Sequence, residues 1–121
     1  MASHRVDRLA QDIKWQLSEL LRTLKDPRIT SMLSVVRVEL TNDLSQCKVY
    51  ISSLDGIEQA KTAVQALTNA AGFIRREISM RVEMRRTPQF LFIADNSIEY
   101  SADIAKKLDD LLGESPREES Q

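Results

Sequence analysis

The stretch IEQAKTAVQALTNAAGFIRREISMRVEM, residues 57–84, decides the fold. It contains no proline, is rich in strong helix formers and is interrupted only by Gly72. Ala60, Ala63, Val64, Leu67 and Ala71 form an apolar face before the glycine, and Ile74, Ile78 and Val82 form one after it. A glycine inside a helix costs about 1 kcal/mol relative to alanine, so it marks a bend or a close approach. The spacing predicts two helices that meet at a kink at Ala70-Ala71-Gly72.

Upstream lie two strands. Val36, Val38 and Leu40 alternate with Arg37 and Glu39, and Cys47, Val49 and Ile51 alternate with Lys48, Tyr50 and Ser52. The turn formers of residues 41–45 between them predict a hairpin. Further upstream, Val6, Leu9, Ala10, Ile13, Leu17, Leu20, Leu21 and Leu24 recur at spacings of three and four. They predict an amphipathic helix over residues 4–24, capped by Ser3 and stopped by Pro27.

Downstream, Pro88 introduces Gln89 to Ala94, apolar on both faces and predicted as a buried third strand of unassigned direction. Asn96 and Glu99 are spaced as a capping box for a last helix, which Ile98, Ala102, Ala105, Leu108, Leu111 and Leu112 carry to Gly113. The predicted order is α-β-β-α-kink-α-β-α, a single α+β domain over residues 1–113 with a disordered polar tail over 114–121.

Composition narrows the function classes. The chain has 121 residues, 42% apolar and 29% charged, the balance of a folded soluble protein. No apolar run approaches a membrane span and no secretory h-region is visible. One cysteine, Cys47, excludes an internal disulfide, so a reducing cytoplasm is the expected home. The net charge of -1 hides a split. Residues 1–87 hold 14 Lys and Arg against 10 Asp and Glu, and residues 88–121 hold 3 against 8. The body is therefore +4 and the end -5, which permits a basic face.

No convergent catalytic set is visible. His4 is the lone histidine, in a terminal turn, and Cys47 occupies an inward strand position. No phosphate-cradling glycine loop or metal-spaced cluster occurs, so neither enzymatic activity nor a cofactor or metal is expected. The arginines carry more. Arg8, Trp15 and Arg22, spaced by seven, share one face of the first helix opposite its apolar stripe. There Trp15 either stacks on a nucleobase or packs on another element such as the last helix. Arg75, Arg76, Arg81, Arg85 and Arg86 fall within twelve residues that contain no lysine. Such a run is either a solvated face, with Arg81 snorkelling beside the apolar side, or a set of guanidinium forks for phosphate.

These residues, taken in order, resemble the bacterial ribosome-binding factor A family across residues 4–112. The resemblance rests on Arg5 and Arg8, on Lys25-Asp26-Pro27-Arg28, and on Val49-Tyr50 with Ser52. It continues through Ala70-Ala71-Gly72-Phe73-Ile74-Arg75, Arg85 with Pro88, and Asp95-Asn96-Ser97. It implies a type II KH-like fold, a three-stranded sheet packed on helices, in which an Ala-x-Gly kink replaces the Gly-x-x-Gly loop of ordinary KH domains. It also implies a monomeric partner of the free 30S subunit and its 16S rRNA, acting in rRNA processing, late assembly and cold adaptation, with assembly GTPases among its partners. The rRNA-binding residues so implied are Arg5, Arg8, Arg22, Lys25 and Arg28, assigned together to one end of the first helix, with Arg75, Arg76, Arg85 and Arg86 beyond the kink. Members of that family can carry a longer, charged C-terminal extension, and with about eight residues after Gly113 no long-tail function is expected here. The alternative, a protein-interaction module without RNA, would use Trp15 and the acidic last helix.

Overall fold

Cys47, Val49 and Ile51 are fully buried, and the strand that carries them is the centre of the molecule. The structure is a computed structural model that describes residues 4–30 and 32–112, the side chains of His4 and Glu99 excepted. Within these residues the chain forms α1 (His4–Leu21), β1 (Leu33–Leu40), β2 (Gln46–Ser53) and α2 (Ile57–Asn69). It continues as α3 (Ala71–Arg81), β3 (Gln89–Asp95) and α4 (Ser97–Leu112). The three strands make one mixed sheet in the order β1-β2-β3, with β1 antiparallel and β3 parallel to β2. The inner face of the sheet meets α1, α2 and α3. Ile13, Leu17 and Leu20 of α1, Leu67 of α2 and Ile74 and Ile78 of α3 close the core over it.

Several local readings change or sharpen. First, α1 ends at Leu21 rather than at residue 24. The amides of Arg22, Thr23 and Leu24 reach back to carbonyls three residues earlier, at 3.2, 2.9 and 3.4 Å. The Thr23 hydroxyl donates to the Leu20 carbonyl at 2.8 Å. These contacts tighten the last turn, so Pro27 is not the stop.

Second, the register of β1 shifts between Val35 and Arg37. Val36 is the extra residue of a bulge, so Val35, not Val36, is buried with Val38 and Leu40 on its side. Third, the break between α2 and α3 falls within the expected kink, at Ala70 with φ -96° and ψ 11°, but the glycine is not what makes it. Gly72 sits inside α3, and a Cβ there would meet only the end of the Arg76 side chain at 3.9 Å, so no close approach demands the glycine. The glycine with a backbone reason is Gly56, which enters α2 at φ 113°.

Fourth, β3 is an edge strand rather than a doubly buried one. Phe92 is buried, but Leu91 on the opposite face is 51% exposed because no described element covers that side. The last helix also departs from expectation, since every described side chain from Ser101 to Leu112 is exposed. Its start is set by the Asp95 carboxylate, which accepts from the Ser97 amide at 2.6 Å. The expected Ser3 cap, the Gly113 stop and the 114–121 tail lie outside the described residues, as does the Glu99 side chain.

Candidate nucleic-acid interface

The residues expected together at one end of the first helix divide between its two ends. α1 has 18 residues, roughly 27 Å of helix, so Arg5 and Arg8 stand at one end and Arg22 at the other. Arg5 and Arg8 are three residues apart and share a solvent-facing side of α1, while Ala10 and Ile13 anchor the opposite side in the core. After α3 the chain turns extended at Val82, with φ -121° and ψ 123°. Val82 and Met84 point into the core, so Glu83, Arg85 and Arg86 are left outward.

These two segments face each other across a cleft of about 640 Å³. Arg5, Arg8 and Asp12 line it from α1, Arg81, Glu83, Arg85 and Arg86 from the end of α3 and beyond, and Asn42, Asp43 and Leu44 from the hairpin tip. Five guanidinium groups thus stand against three carboxylates. Arg81 is part of this wall and also meets Glu77 at 3.4 Å, so it does more than snorkel. Among the described residues, Arg5, Arg8, Arg85 and Arg86 form no ion pair, which leaves their forks available.

The hairpin wall is held by its own turn chemistry. Asp43 Oδ1 accepts from the Thr41 hydroxyl at 2.8 Å, the Ser45 hydroxyl at 2.7 Å and the Ser45 amide at 3.0 Å. The Ser45 contacts foremost, then Thr41 and nearby Arg86, hold the Asp43 carboxyl down at about 2. Asp43 is therefore an anion whose Oδ1 is held by its own turn. Leu44 takes a φ of 62°, a sparsely populated conformation that the closed turn imposes.

The other predicted residues do not join this cleft. Arg75 donates through Nε and Nη2 to the Thr87 carbonyl, at 3.3 and 2.9 Å, and clamps α3 to the segment before β3. Arg28 grips Asp26 in a two-pronged pair at 3.1 and 2.9 Å, which holds that carboxyl below its ordinary range. Arg22 lies 3.5 Å from Glu19 and borders a second cleft, between the end of α1 and the start of β1. Lys25 and Arg76 are exposed and line neither cleft.

Trp15 is 66% exposed, so it is not packed away against the last helix or another described element. It stands on α1 roughly 10 Å along the axis from both Arg8 and Arg22.

Sequence reasoning missed the hairpin tip as a wall and Arg81 as a lining residue. It also missed the pair in which Arg37 lies 4.2 Å over the Tyr50 ring on the outer face of the sheet. The bulge at Val36 sets Arg37 opposite Tyr50, and alternation alone cannot reveal a bulge. Cys47 is pushed up to about 12 by burial, so its thiol stays protonated. Among the described residues, no cluster of His, Cys, Asp or Glu is placed to hold a metal ion, and no helix is long and apolar enough to cross a membrane.

Comparison with known proteins gives this geometry a context. A ribosome-binding factor A of Desulfitobacterium hafniense is 44% identical, over all of this chain and 97% of its own. The solution structure of a Thermotoga maritima protein described as a ribosome binding factor A superposes with a TM-score of 0.69 and 33% identity. That match covers 82% of this chain and 94% of the other. A Thermus thermophilus ribosome binding factor A, fitted into the electron-microscopy map of a 30S complex, gives a TM-score of 0.58 and 29% identity over 77% of this chain and 93% of its own. The family model described as "Ribosome-binding factor A" matches residues 5–108, and on these grounds the chain belongs to the ribosome-binding factor A family.

Proposed function

We propose that this protein binds the immature small ribosomal subunit through its 16S rRNA and promotes rRNA processing and late assembly in the cytoplasm. The observation that carries this reading is the convergence of Arg5, Arg8, Arg81, Arg85 and Arg86, from separate segments, on one cleft. Guanidinium forks there suit phosphate oxygens, and contacts to phosphate set affinity and register rather than sequence choice. Exposed Trp15, between Arg8 and Arg22, extends the surface along α1 and offers a ring for an unpaired base. The Thermus thermophilus relative placed in a 30S complex supports the same partner.

The mechanism is a bias. A protein that binds one rRNA conformation better than its alternatives shifts the population towards it without catalysing a bond change. Cold makes wrong RNA helices persist, so the bias matters most there. The three carboxylates in the cleft lower its net charge and keep the grip modest, which suits a factor that must leave.

The test is co-sedimentation with small subunits of the wild type and of Arg85→Glu with Arg86→Glu. The variant is expected to lose binding, and its log affinity to fall less steeply with log salt, by about 1 for each phosphate contact removed. Binding that survives both reversals unchanged would remove the cleft from the interface.

A further inference from the structure

The arginine cleft holds more acid than a site for phosphate alone needs. Asp12, Asp43 and Glu83 line it, and among the described residues none of the three forms an ion pair. A carboxylate beside a phosphate repels it and weakens binding, unless it faces a hydrogen-bond donor carried by the same strand. Of the three, only the Asp43 carboxylate is held in place by hydrogen bonds. Its Oδ1 accepts from the Ser45 amide and from the hydroxyls of Thr41 and Ser45, which fixes the side chain on the turn. Its Oδ2 accepts nothing among the described residues. Arg86 is near enough to help keep the carboxyl ionised. Oδ2 is thus the charged acceptor that Asp43 brings to the cleft, set by its turn before any ligand arrives.

The surroundings select the donor. None of the residues that line the cleft is aromatic, so it offers no ring on which a base would stack. The arginines hold phosphates there, and the group next to a phosphate along the strand is the sugar. In RNA that sugar carries a 2′-hydroxyl, a donor that DNA lacks. A carboxylate that accepts from a ribose 2′-hydroxyl makes a charge-assisted bond, as the acidic residue of dinucleotide-binding folds does. We infer that Asp43 Oδ2 accepts the 2′-hydroxyl of a ribose whose neighbouring phosphates lie on Arg85 and Arg86, and so makes the cleft selective for RNA over DNA. This inference rests on the phosphate-cleft reading above and adds a specificity-determining residue to it. The arginines grip any nucleic-acid backbone, and Asp43 favours the one that carries a 2′-donor.

Fluorescence anisotropy with short unpaired oligonucleotides of one 16S rRNA sequence tests this, in ribose, 2′-deoxy and 2′-fluoro forms. The 2′-fluoro sugar keeps the ribose pucker but has no hydrogen to donate. The wild type is expected to bind the ribose form about tenfold more tightly than either of the others, the worth of one charge-assisted hydrogen bond. Asp43→Asn keeps Oδ1 for the turn and replaces Oδ2 with an NH2 donor, and the amide resonances of Val49 and Ile51 check that the core is intact. It should abolish the preference, weakening the ribose form and strengthening the deoxy form. Asp12→Asn removes the same charge from the same cleft and should tighten all three alike, with the preference kept. A wild type that does not prefer the ribose form overturns the inference. So does an Asp43→Asn that tightens all three alike, which would make Asp43 only a repelling charge. A wild type that binds the 2′-fluoro form as tightly as ribose, with both weakened in Asp43→Asn, assigns Oδ2 to a base amino group and overturns it as well. Arg85→Glu with Arg86→Glu separates the two readings. If this variant binds the ribose form as the wild type does, the cleft reading fails and this inference with it; if it loses all three forms while Asp43→Asn behaves like Asp12→Asn, only this inference fails.

Discussion

In α1, Ile13, Leu17 and Leu20 are spaced by four and three and are buried against β1 and α3. In α4, Ile104, Leu108 and Leu111 repeat that spacing and are all exposed. The difference lies in what the neighbouring chain does. After α1 the loop returns under the helix, with Leu24 and Ile29 against the core, and β1 then runs along it. α4 leaves from the end of an edge strand and touches β2 near its first turn, and its described side chains from Ser101 to Leu112 are all exposed. Periodicity thus specifies a stripe, while topology decides whether that stripe is core or surface.

The most forceful way to break this comparison is to truncate one leucine from each stripe. Leu17→Ala leaves a cavity in a packed interior and should cost about 3 kcal/mol of unfolding free energy. Leu108→Ala removes a side chain already in water and should change stability by no more than about 0.5 kcal/mol. Urea unfolding of the two variants measures both. Equal losses would mean that α4 packs on the body in solution, and the contrast between the helices would disappear.

A smaller effect separates two neighbours on α3. Arg75 and Arg76 are indistinguishable in the sequence, yet Arg75 closes a two-donor contact on the Thr87 carbonyl while Arg76 lies open. Arg75→Ala should destabilise by about 1 kcal/mol, the worth of a hydrogen bond from a charged donor at an exposed site. Arg76→Ala should fall within about 0.5 kcal/mol of the wild type. If both variants melt alike, Arg75 is only another surface cation, and the assignment of Arg85 and Arg86 to a separate role loses its contrast.

Those cases show what was legible in the sequence. Element type and order followed from periodicity, because Cys47, Val49 and Ile51 at period two and Ile13, Leu17 and Leu20 at helical period report local geometry. The bulge at Val36 and the edge position of β3 were not legible, since both depend on strand partners. The site divided in the same way. That this segment is rich in arginine was readable from residues 75 to 86, but which of its side chains are engaged by the fold was not. Arg28 and Arg75 are engaged by Asp26 and Thr87, and the Thr87 contact exists only because α3 runs past the chain twelve residues later.

The smallest expected effect belongs to the hairpin wall of the cleft, and its pH dependence tests whether that wall is preformed. Asp43 has a folded pKa of about 2, below the roughly 3.9 of an unfolded aspartate. Because the folded value is depressed, its contribution is fully present above about pH 4 and is lost as the pH falls towards 2. Protonation at Oδ2 weakens Oδ1 as the acceptor for the Ser45 amide and for the hydroxyls of Thr41 and Ser45, and removes the anion beside Arg86. The amide resonances of Leu44 and Ser45 should therefore stay constant from neutral pH to about pH 4 and move together below it. Buried reporters such as the amides of Val49 and Ile51 should hold their positions until the whole domain unfolds. In Asp43→Asn the concerted step should vanish, with the core unaffected. A step centred near pH 4 in the wild type would mean that the turn does not grip its carboxylate, and that RNA meets a hairpin which has still to order. A step near pH 2 would mean that the wall is already ordered, so under the proposed rRNA reading the ordering left to binding would fall on the arginine side chains of the cleft.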